Sequence, residues 1–420
     1  MTTEQIEVHV QLGAQELLVG RFWSHRRRGS ESMTFAYEDD YLATPAAYQL
    51  DPVQLGLYSG RQQTPPGREI FGAFSDCAPD RWGRRIVERR ETKLAKSEGR
   101  ARRSFGEADY LLGARDDLRQ GALRFRDPLA RTFLATAKTG VPALTSLAEL
   151  LSAAAKLERG EETSEDLGLL IDAGSSLGGA RPKAHLLGER DRLGIAKFPS
   201  AKDDRHNVIG WEHVALKLAR AAGVTVPEQR LVEINGKHVL IVDRFDRDAD
   251  RRIGYISALT MLGLTDGMRA SYLEIAEAIT EHSPHATRDL HQLWRRIAFT
   301  VLISNYDDHL RNHGFLRTST AGWALSPAFD LNPDPSGKAE LATAIRFGDH
   351  SASVELLISV CDVFGLDRER ALSILREVYE ATALWRSVAS AAGLGSELEQ
   401  MEPAFEPRAS AEARALLGER

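Results

Sequence analysis

The sequence predicts an α+β chain in which a strand-rich N-terminal part, a glycine-rich loop with two hairpins and a mainly helical C-terminal half follow one another. Three observations predict it. Short apolar or alternating runs separated by turns, Val8 to Leu12, Leu17 to Phe22 and Met33 to Tyr37, fill residues 5–130. Asn235-Gly236 between two apolar runs is the signal of a tight hairpin turn, because both residues tolerate positive φ. From residue 257 on, apolar residues recur at helical spacing, as in Leu290, Leu293, Trp294, Ile297 and Val301.

Composition narrows the class. A chain of 420 residues with 43% hydrophobic and 27% charged residues has the make-up of a water-soluble globular protein with more than one domain. It contains no apolar run of about 18 residues and no signal-peptide pattern at Met1 to Gln5, so the expectation is a cytoplasmic protein without a membrane span. Cys77 and Cys361 stand far apart and without a CxxC partner, so neither a disulfide framework nor a structural zinc site is implied. The net charge of −6 gives the whole molecule no reason to bind DNA directly. Locally the balance differs: Arg81 to Arg103 holds ten basic residues and three acidic ones, either a solvated helix face or a contact surface for phosphate or an acidic partner.

In chain order, residues 1–130 read as an N-terminal α+β domain, with a basic helix opening at Asp80-Arg81-Trp82-Gly83 and a closing strand at Gly121 to Phe125. Residues 131–170 read as a helical connector. Residues 171–247 follow as a small lobe: Gly174-Ser175-Ser176-Leu177-Gly178-Gly179-Ala180-Arg181-Pro182-Lys183 is a glycine-rich loop, and the hairpin after it returns a strand that carries Lys197. Glycines let backbone N–H groups approach a phosphate, and a lysine on a strand holds the α/β-phosphates of a nucleotide. The loop is not a P-loop, since Ala180 stands where that motif needs Lys-Ser/Thr. A helix with Trp211, Val214 and Leu218 on its apolar face carries Glu212, an acidic partner of the right kind for Lys197. The second hairpin ends at a connector, Arg244-Phe245, and residues 248–420 form the helical large lobe.

The chemistry-bearing stretch is Asn305 to Asn312, with Asp330 following in Ala328-Phe329-Asp330-Leu331. An Asp followed five residues later by an Asn, with a second Asp beyond a short strand-like insert, is the spacing by which phosphotransfer sites assemble a base and two magnesium ligands. Asp307 is then the base, next to His309, while Asn312 and Asp330 supply hard oxygen ligands. His309 and His313 at i, i+4 lack a third ligand of suitable spacing for zinc.

These residues carry a family resemblance. Through Asn305-x-Asp307-x-His309-x-x-Asn312, Phe329-Asp330-Leu331, Pro79-Asp80-Arg81-Trp82-Gly83 and Gly121-Ala122-Leu123, the chain resembles the HipA family of serine/threonine protein kinases, toxins of bacterial type II toxin–antitoxin pairs. The resemblance implies a two-lobed protein-kinase-like fold with an additional N-terminal domain. It implies ATP and Mg2+ as cofactors, Asp307 as catalytic base and Asn312 and Asp330 as metal ligands. Lys197 becomes the ATP-phosphate lysine, Arg244 and Phe245 the adenine hinge, and Gly178, Gly179, Ala180 and Lys183 the loop around the nucleotide. Ser176 becomes the autophosphorylated serine, with Ser175 as the alternative acceptor, although Arg181 and Pro182 depart from the family's loop. The implied partners are a helix-turn-helix antitoxin of the HipB kind, DNA only through it, and a protein substrate linked to translation such as an aminoacyl-tRNA synthetase. Two alternatives remain: a small-molecule kinase, and a catalytically silent partner of a DNA-bound repressor.

Overall fold

The structure, a computed structural model, describes residues 5–418 apart from 13–14, 28, 137–139, 175–178, 189–191, 201–204 and 250. Ser175, Ser176 and Gly178 therefore lie outside the described residues. The chain divides into two compact units. One comprises residues 1–203, 243–263 and 316–320, the other 204–242, 264–315 and 321–420.

The first unit is built on a five-stranded antiparallel sheet of order β4-β3-β2-β1-β5, with β1 Gln5–Leu12, β2 Gln15–Arg27, β3 Ser30–Tyr37, β4 Arg61–Gln63 and β5 Leu123–Arg126. Alternation puts Val8, Val10, Phe22, Phe35 and Phe125 into one core with Phe71 and Phe74, whose rings meet tilted or edge-on at 5.5–6.0 Å. The register slips between Val8 and His9, opposite Gly20. Glycine is required there, because a Cβ would stand 2.3 Å from the Ala36 carbonyl oxygen.

Short helices α1 (Asp39–Leu42) and α2 (Gly72–Ser75) precede α3 (Arg81–Glu98), the expected basic helix. Asp80 caps α3 by accepting from Gly83 N, and Gly99 closes it in the left-handed conformation at φ 64°. Helices α4 (Glu107–Gly113), α5 (Leu147–Arg159) and α6 (Ser164–Asp172) follow, then the hairpin of β6 (Lys183–Leu187) and β7 (Leu193–Lys197), and later α8 (Ala258–Met261). The expected connector is thus two packed helices that belong to this unit. Trp82 of α3 is buried and donates to Lys183 O at 3.0 Å, so residues beyond 170 are tied to the N-terminal part as well. By contacts the chain divides more coarsely than the four segments expected from its sequence.

Several charges of the basic run are paired within its own unit. Arg84 forms a two-pronged pair with Glu107, Arg100 pairs with Glu91 and Glu98, Arg103 with Asp109, and Lys93 donates to Glu162 O.

In the second unit α7 (Val208–Ala221) is capped by Asn207 and buries Trp211 against Trp385 and Phe405. The hairpin of β8 (Gln229–Ile234) and β9 (Lys237–Asp243) turns at Asn235 and Gly236, whose φ angles of 52° and 72° are those of a type I′ turn. Helix α9 (Tyr272–His282) opens with a Ser271–Glu274 capping box, and α10 (Ala286–Leu302) runs through the core. The rest is mostly helical to residue 417, as expected. No described helix is long and apolar enough to cross a membrane. Cys77 and Cys361 are both buried free thiols.

Candidate active site

The site in the second unit grows out of the end of α10. Helical geometry stops at Ser304, a non-glycine residue at φ 52°, and Asn305 N reaches back to Thr300 O at 3.0 Å. A left-handed residue with a Cβ costs about 1 kcal/mol or more and persists only where its surroundings fix it. Here Asp334 N donates to Ser304 O at 3.3 Å and Ala342 N to Tyr306 O at 2.9 Å, so two later segments pin the loop. The next two residues then face opposite ways. Asp307 is exposed, and Asp308 is buried.

The chain tightens after Asp307. His309 N and the Asn312 side chain, through Nδ2, both donate to Asp307 O, at 2.8 and 3.2 Å, and Asn312 N donates to His309 O at 2.8 Å. This one-turn 3-10 helix over Leu310–Asn312 is what brings Asn312 back beside Asp307. Asp330 is also left-handed, at φ 58°, and its carbonyl accepts from Asn332 Nδ2 at 3.3 Å. Its segment is anchored by Ser326 N to Gly314 O and Ala328 N to Thr225 O.

Electrostatics relate the two carboxylates. Although Asp307 reaches solvent, the partial burial of its carboxyl pushes it above the usual carboxylate range, and the charges of Asp330 and Asp308 push the same way, while His309 and Lys338 oppose them. Two carboxylates that sense each other and an amide oxygen are hard donors of the kind magnesium takes, usually with phosphate oxygens and water completing its shell. Among the described residues no group of three or more His, Cys, Asp or Glu side chains forms a metal site on its own.

Sequence reasoning passed over Asp308. Its carboxylate accepts from Tyr272 Oη at 2.6 Å, His313 Nε2 at 3.1 Å and Thr300 Oγ1 at 3.4 Å, and its main-chain oxygen accepts from Thr343 Oγ1 at 2.6 Å. Burial pushes this carboxyl up, but the charge of His313 and the hydrogen bonds from His313 and Tyr272 outweigh it and hold Asp308 below its ordinary value. The only signal in the sequence was the Asp-Asp doublet with a histidine five residues on. Polar atoms of Ser304, Asn305 and Asn332 are buried around the loop without a hydrogen-bond partner among the described residues, which is where ordered water belongs.

The remaining expected site residues lie in the first unit. Lys183 and Lys197 face each other in the β6–β7 register, and Lys183 Nζ forms a buried ion pair with Asp80 at 2.7 Å. Gly179 takes φ 110°, a conformation reserved for glycine, and Ala180 is exposed. Arg244 is buried: its guanidinium donates to Leu118 O at 2.6 Å, Arg119 O at 3.1 Å and both oxygens of Asp246 at 2.8 and 2.6 Å. Phe245 packs on Tyr255 with ring centroids 6.4 Å apart.

Comparison with known proteins places the chain. The model of the HipA-like C-terminal domain matches residues 175–385. The chain belongs to this family. The matched range holds Lys197, Arg244, Asp307, Asn312 and Asp330. The "Putative kinase" of Haemophilus influenzae is 27% identical over 135 residues, 29% of this chain and 39% of that protein. The "Putative kinase Y4dM" of Sinorhizobium fredii is 27% identical over 169 residues, 36% of this chain and 40% of that protein. The chain thus spans about 40% of the length of the curated relatives it matches. The structure of Shewanella oneidensis HipA, solved with HipB and operator DNA, matches 99% of this chain and 98% of its own at TM-score 0.65 and 18% identity. At that identity the likeness shows the fold. This chain has the two-lobed, kinase-like α+β fold of the HipA toxin.

Proposed function

We propose that this protein is an ATP- and magnesium-dependent serine/threonine protein kinase that acts as the toxin of a toxin–antitoxin pair. The observation that carries the proposal is the Asp307 loop. An exposed carboxylate is held by a rigid turn, the Asn312 amide is folded back onto the main-chain oxygen of the same residue, and the Asp330 charge is close enough to raise its pKa.

In this reading Asp307 accepts the proton of a serine or threonine hydroxyl as that oxygen bonds to the γ-phosphorus, and the bond to the β–γ bridging oxygen breaks to release ADP. Asn312 and Asp330 would hold magnesium, which neutralises phosphate charge when bound. The residues fit the ion: both are hard oxygen donors, and the charge of Asp330 burdens Asp307 where a divalent cation would offset it. His309 keeps the turn closed through its backbone N–H and tempers the field at Asp307. Lys197, Gly178, Gly179, Ala180 and Lys183 are assigned to the nucleotide phosphates, Arg244 and Phe245 to the adenine, and Ser176, or Ser175, to autophosphorylation. The kinase names of two relatives support the activity. The HipB–DNA complex of the Shewanella protein supports an antitoxin partner and indirect contact with DNA. A translation-linked protein as substrate and the cytoplasm as site of action complete the proposal.

The test is incubation of the purified chain with magnesium and γ-labelled ATP, followed by mass spectrometry. Label on the chain itself, lost in Asp307→Ala, is the expected result. No transfer to the chain, to added protein or to small hydroxyl compounds would overturn the reading. Transfer to small compounds alone would make it a small-molecule kinase.

A further inference from the structure

One set of charged groups in the second unit has no part in the reaction as proposed. Besides Asp308, it includes Arg296 and Asp289, both on α10 and both buried, at 4% and 2% exposure. Arg296 donates to Ser326 O through Nη2, while Nε and Nη1 have no hydrogen-bond partner among the described residues. Asp289 accepts from Leu325 N at 2.9 Å. The charges of Asp308 and Asp289 both act on Arg296, offsetting part of the fall that burial imposes on its pKa. One helix therefore holds the start of the Asp330 segment at Leu325 and Ser326, and the base-bearing loop through Thr300 and Asp308.

We infer that Asp308 and Arg296 are positioning residues that keep the Asp307 loop in register with the segment carrying Asp330 and with residues 342–344. Three features argue against a role in core stability alone. Asp308 directly follows the base, so fixing its side chain inward fixes the outward course of Asp307. Its carboxylate gathers Tyr272 from the start of α9, Thr300 from α10 and His313 from beyond the loop. Its carbonyl takes Thr343, while Ala342 N binds Tyr306 O and Tyr272 N binds Ala344 O at 2.8 Å, so the same residues close a ring around the loop. A well-packed apolar side chain would stabilise a core at least as well as a buried ion, and removing one buried partner costs far more than the pair contributes. A ring of directional bonds to a single carboxylate supplies register, which apolar packing does not.

The role in catalysis rests on the kinase reading, so the test has two arms. Asp308→Asn keeps the shape and removes the charge. Tyr272→Phe removes one hydroxyl only, and Arg296→Lys keeps the charge but not the fork. In the first arm kcat at saturating ATP falls about 100-fold for Asp308→Asn, the loss expected from a misplacement near 1 Å. KM for ATP stays within about threefold, because binding is not what is lost. Tyr272→Phe and Arg296→Lys follow with smaller losses of the same kind. In the second arm, amide hydrogen exchange of Asp308→Asn speeds up together at 305–312, 326–330 and 342–344, and α7 keeps its protection. Wild-type turnover in Asp308→Asn, or exchange faster everywhere in unit 2, would overturn the positioning role. If the wild-type chain transfers no phosphate, the kinase reading falls, and exchange alone decides the register: unchanged protection at 326–330 and 342–344 would overturn it, and their joint loss would support it.

Discussion

Replacing Asp246 by Asn tests whether the Arg244 connector is held by charge. Asp246 is buried, and its two oxygens accept from Arg244 Nε at 2.8 Å, Arg244 Nη2 at 2.6 Å, Arg247 Nη1 at 2.9 Å and Gly121 N at 2.8 Å. Burial pushes this carboxyl up, but the two guanidinium groups dominate and hold it far below its ordinary value. Asn keeps the volume, leaves Arg244 and Arg247 without the anion they pair with and turns an NH2 towards donors. Removing one partner of a buried pair costs about 3–5 kcal/mol. For a unit of this size each kcal/mol moves Tm by about 2–4 °C, so the loss should be roughly 6–20 °C. Differential scanning calorimetry measures it, with the exposed pair Arg159–Glu161 as control, where Glu161→Gln should change nothing measurable. A depressed carboxyl pKa gives stability that is complete above the unfolded value, about 3.9, and is lost as pH falls through the folded value. The gap between wild type and Asp246→Asn should therefore narrow below about pH 4. A Tm loss under about 2 °C at neutral pH would show that the cluster is held by its backbone hydrogen bonds, and the charge argument would be wrong.

Asp307→Ala and Asp330→Ala should each abolish phosphotransfer by at least about 10³-fold with the fold intact by circular dichroism, and only Asp330→Ala should also weaken magnesium-dependent ATP binding by calorimetry. Because the Asp307 pKa is raised, its ionisation works against folding; that cost is absent at low pH and appears as pH rises through the folded value. Asp307→Asn should therefore unfold at a slightly higher temperature than wild type at pH 7 while lacking activity. In the pH profile of kcat/KM the acid limb should lie above the ordinary carboxylate value near 3.9 and move down as magnesium is raised; a limb that ignores magnesium would remove Asp330 from the metal's shell. Gly322→Ala should cost unit 2 about 2 kcal/mol or more in urea titration, since its φ is 152° and a Cβ would meet His282 O at 2.3 Å.

What the sequence showed and what it hid divide by the reach of the interactions. The strands β1 to β3, the Asn235-Gly236 turn and α10 follow from patterns that repeat within a few residues, and the spacing of Asp307, Asn312 and Asp330 is short enough to read directly. The partners of Asp308 are not: Tyr272 lies 36 residues away, and nothing local marks it. The partners of the basic run are equally out of reach, since a window count over Arg81 to Arg103 sees neither Glu107 nor Asp109 nor the carbonyl of Glu162. The grouping of 131–203 with the N-terminal part was hidden too, because it depends on contacts such as Trp82 with Lys183, 101 positions apart.

The adjacent residues Asp307 and Asp308 show how one loop separates two uses of the same side chain. The carboxylate turned inward meets a hydroxyl and an imidazole and is held as an anion that never needs to change. The one turned outward is raised by partial burial and by the charge of Asp330, which suits the proton acceptor proposed for it. The exposed one cannot be given hydrogen bonds of that strength without losing its basicity, so its orientation has to be set from elsewhere. The left-handed Ser304, just before Asp307 in the chain and costing on the order of 1–3 kcal/mol, sets the turn that carries it. Asp330 is left-handed as well, and the hydrogen bonds to the two carbonyls from Asp334 and Asn332 keep the strained states populated. In the proposed reaction, a base held by strained backbone and a buried neighbour needs little reorganisation when substrate binds, which is the condition under which positioning accounts for most of the rate in phosphoryl transfer.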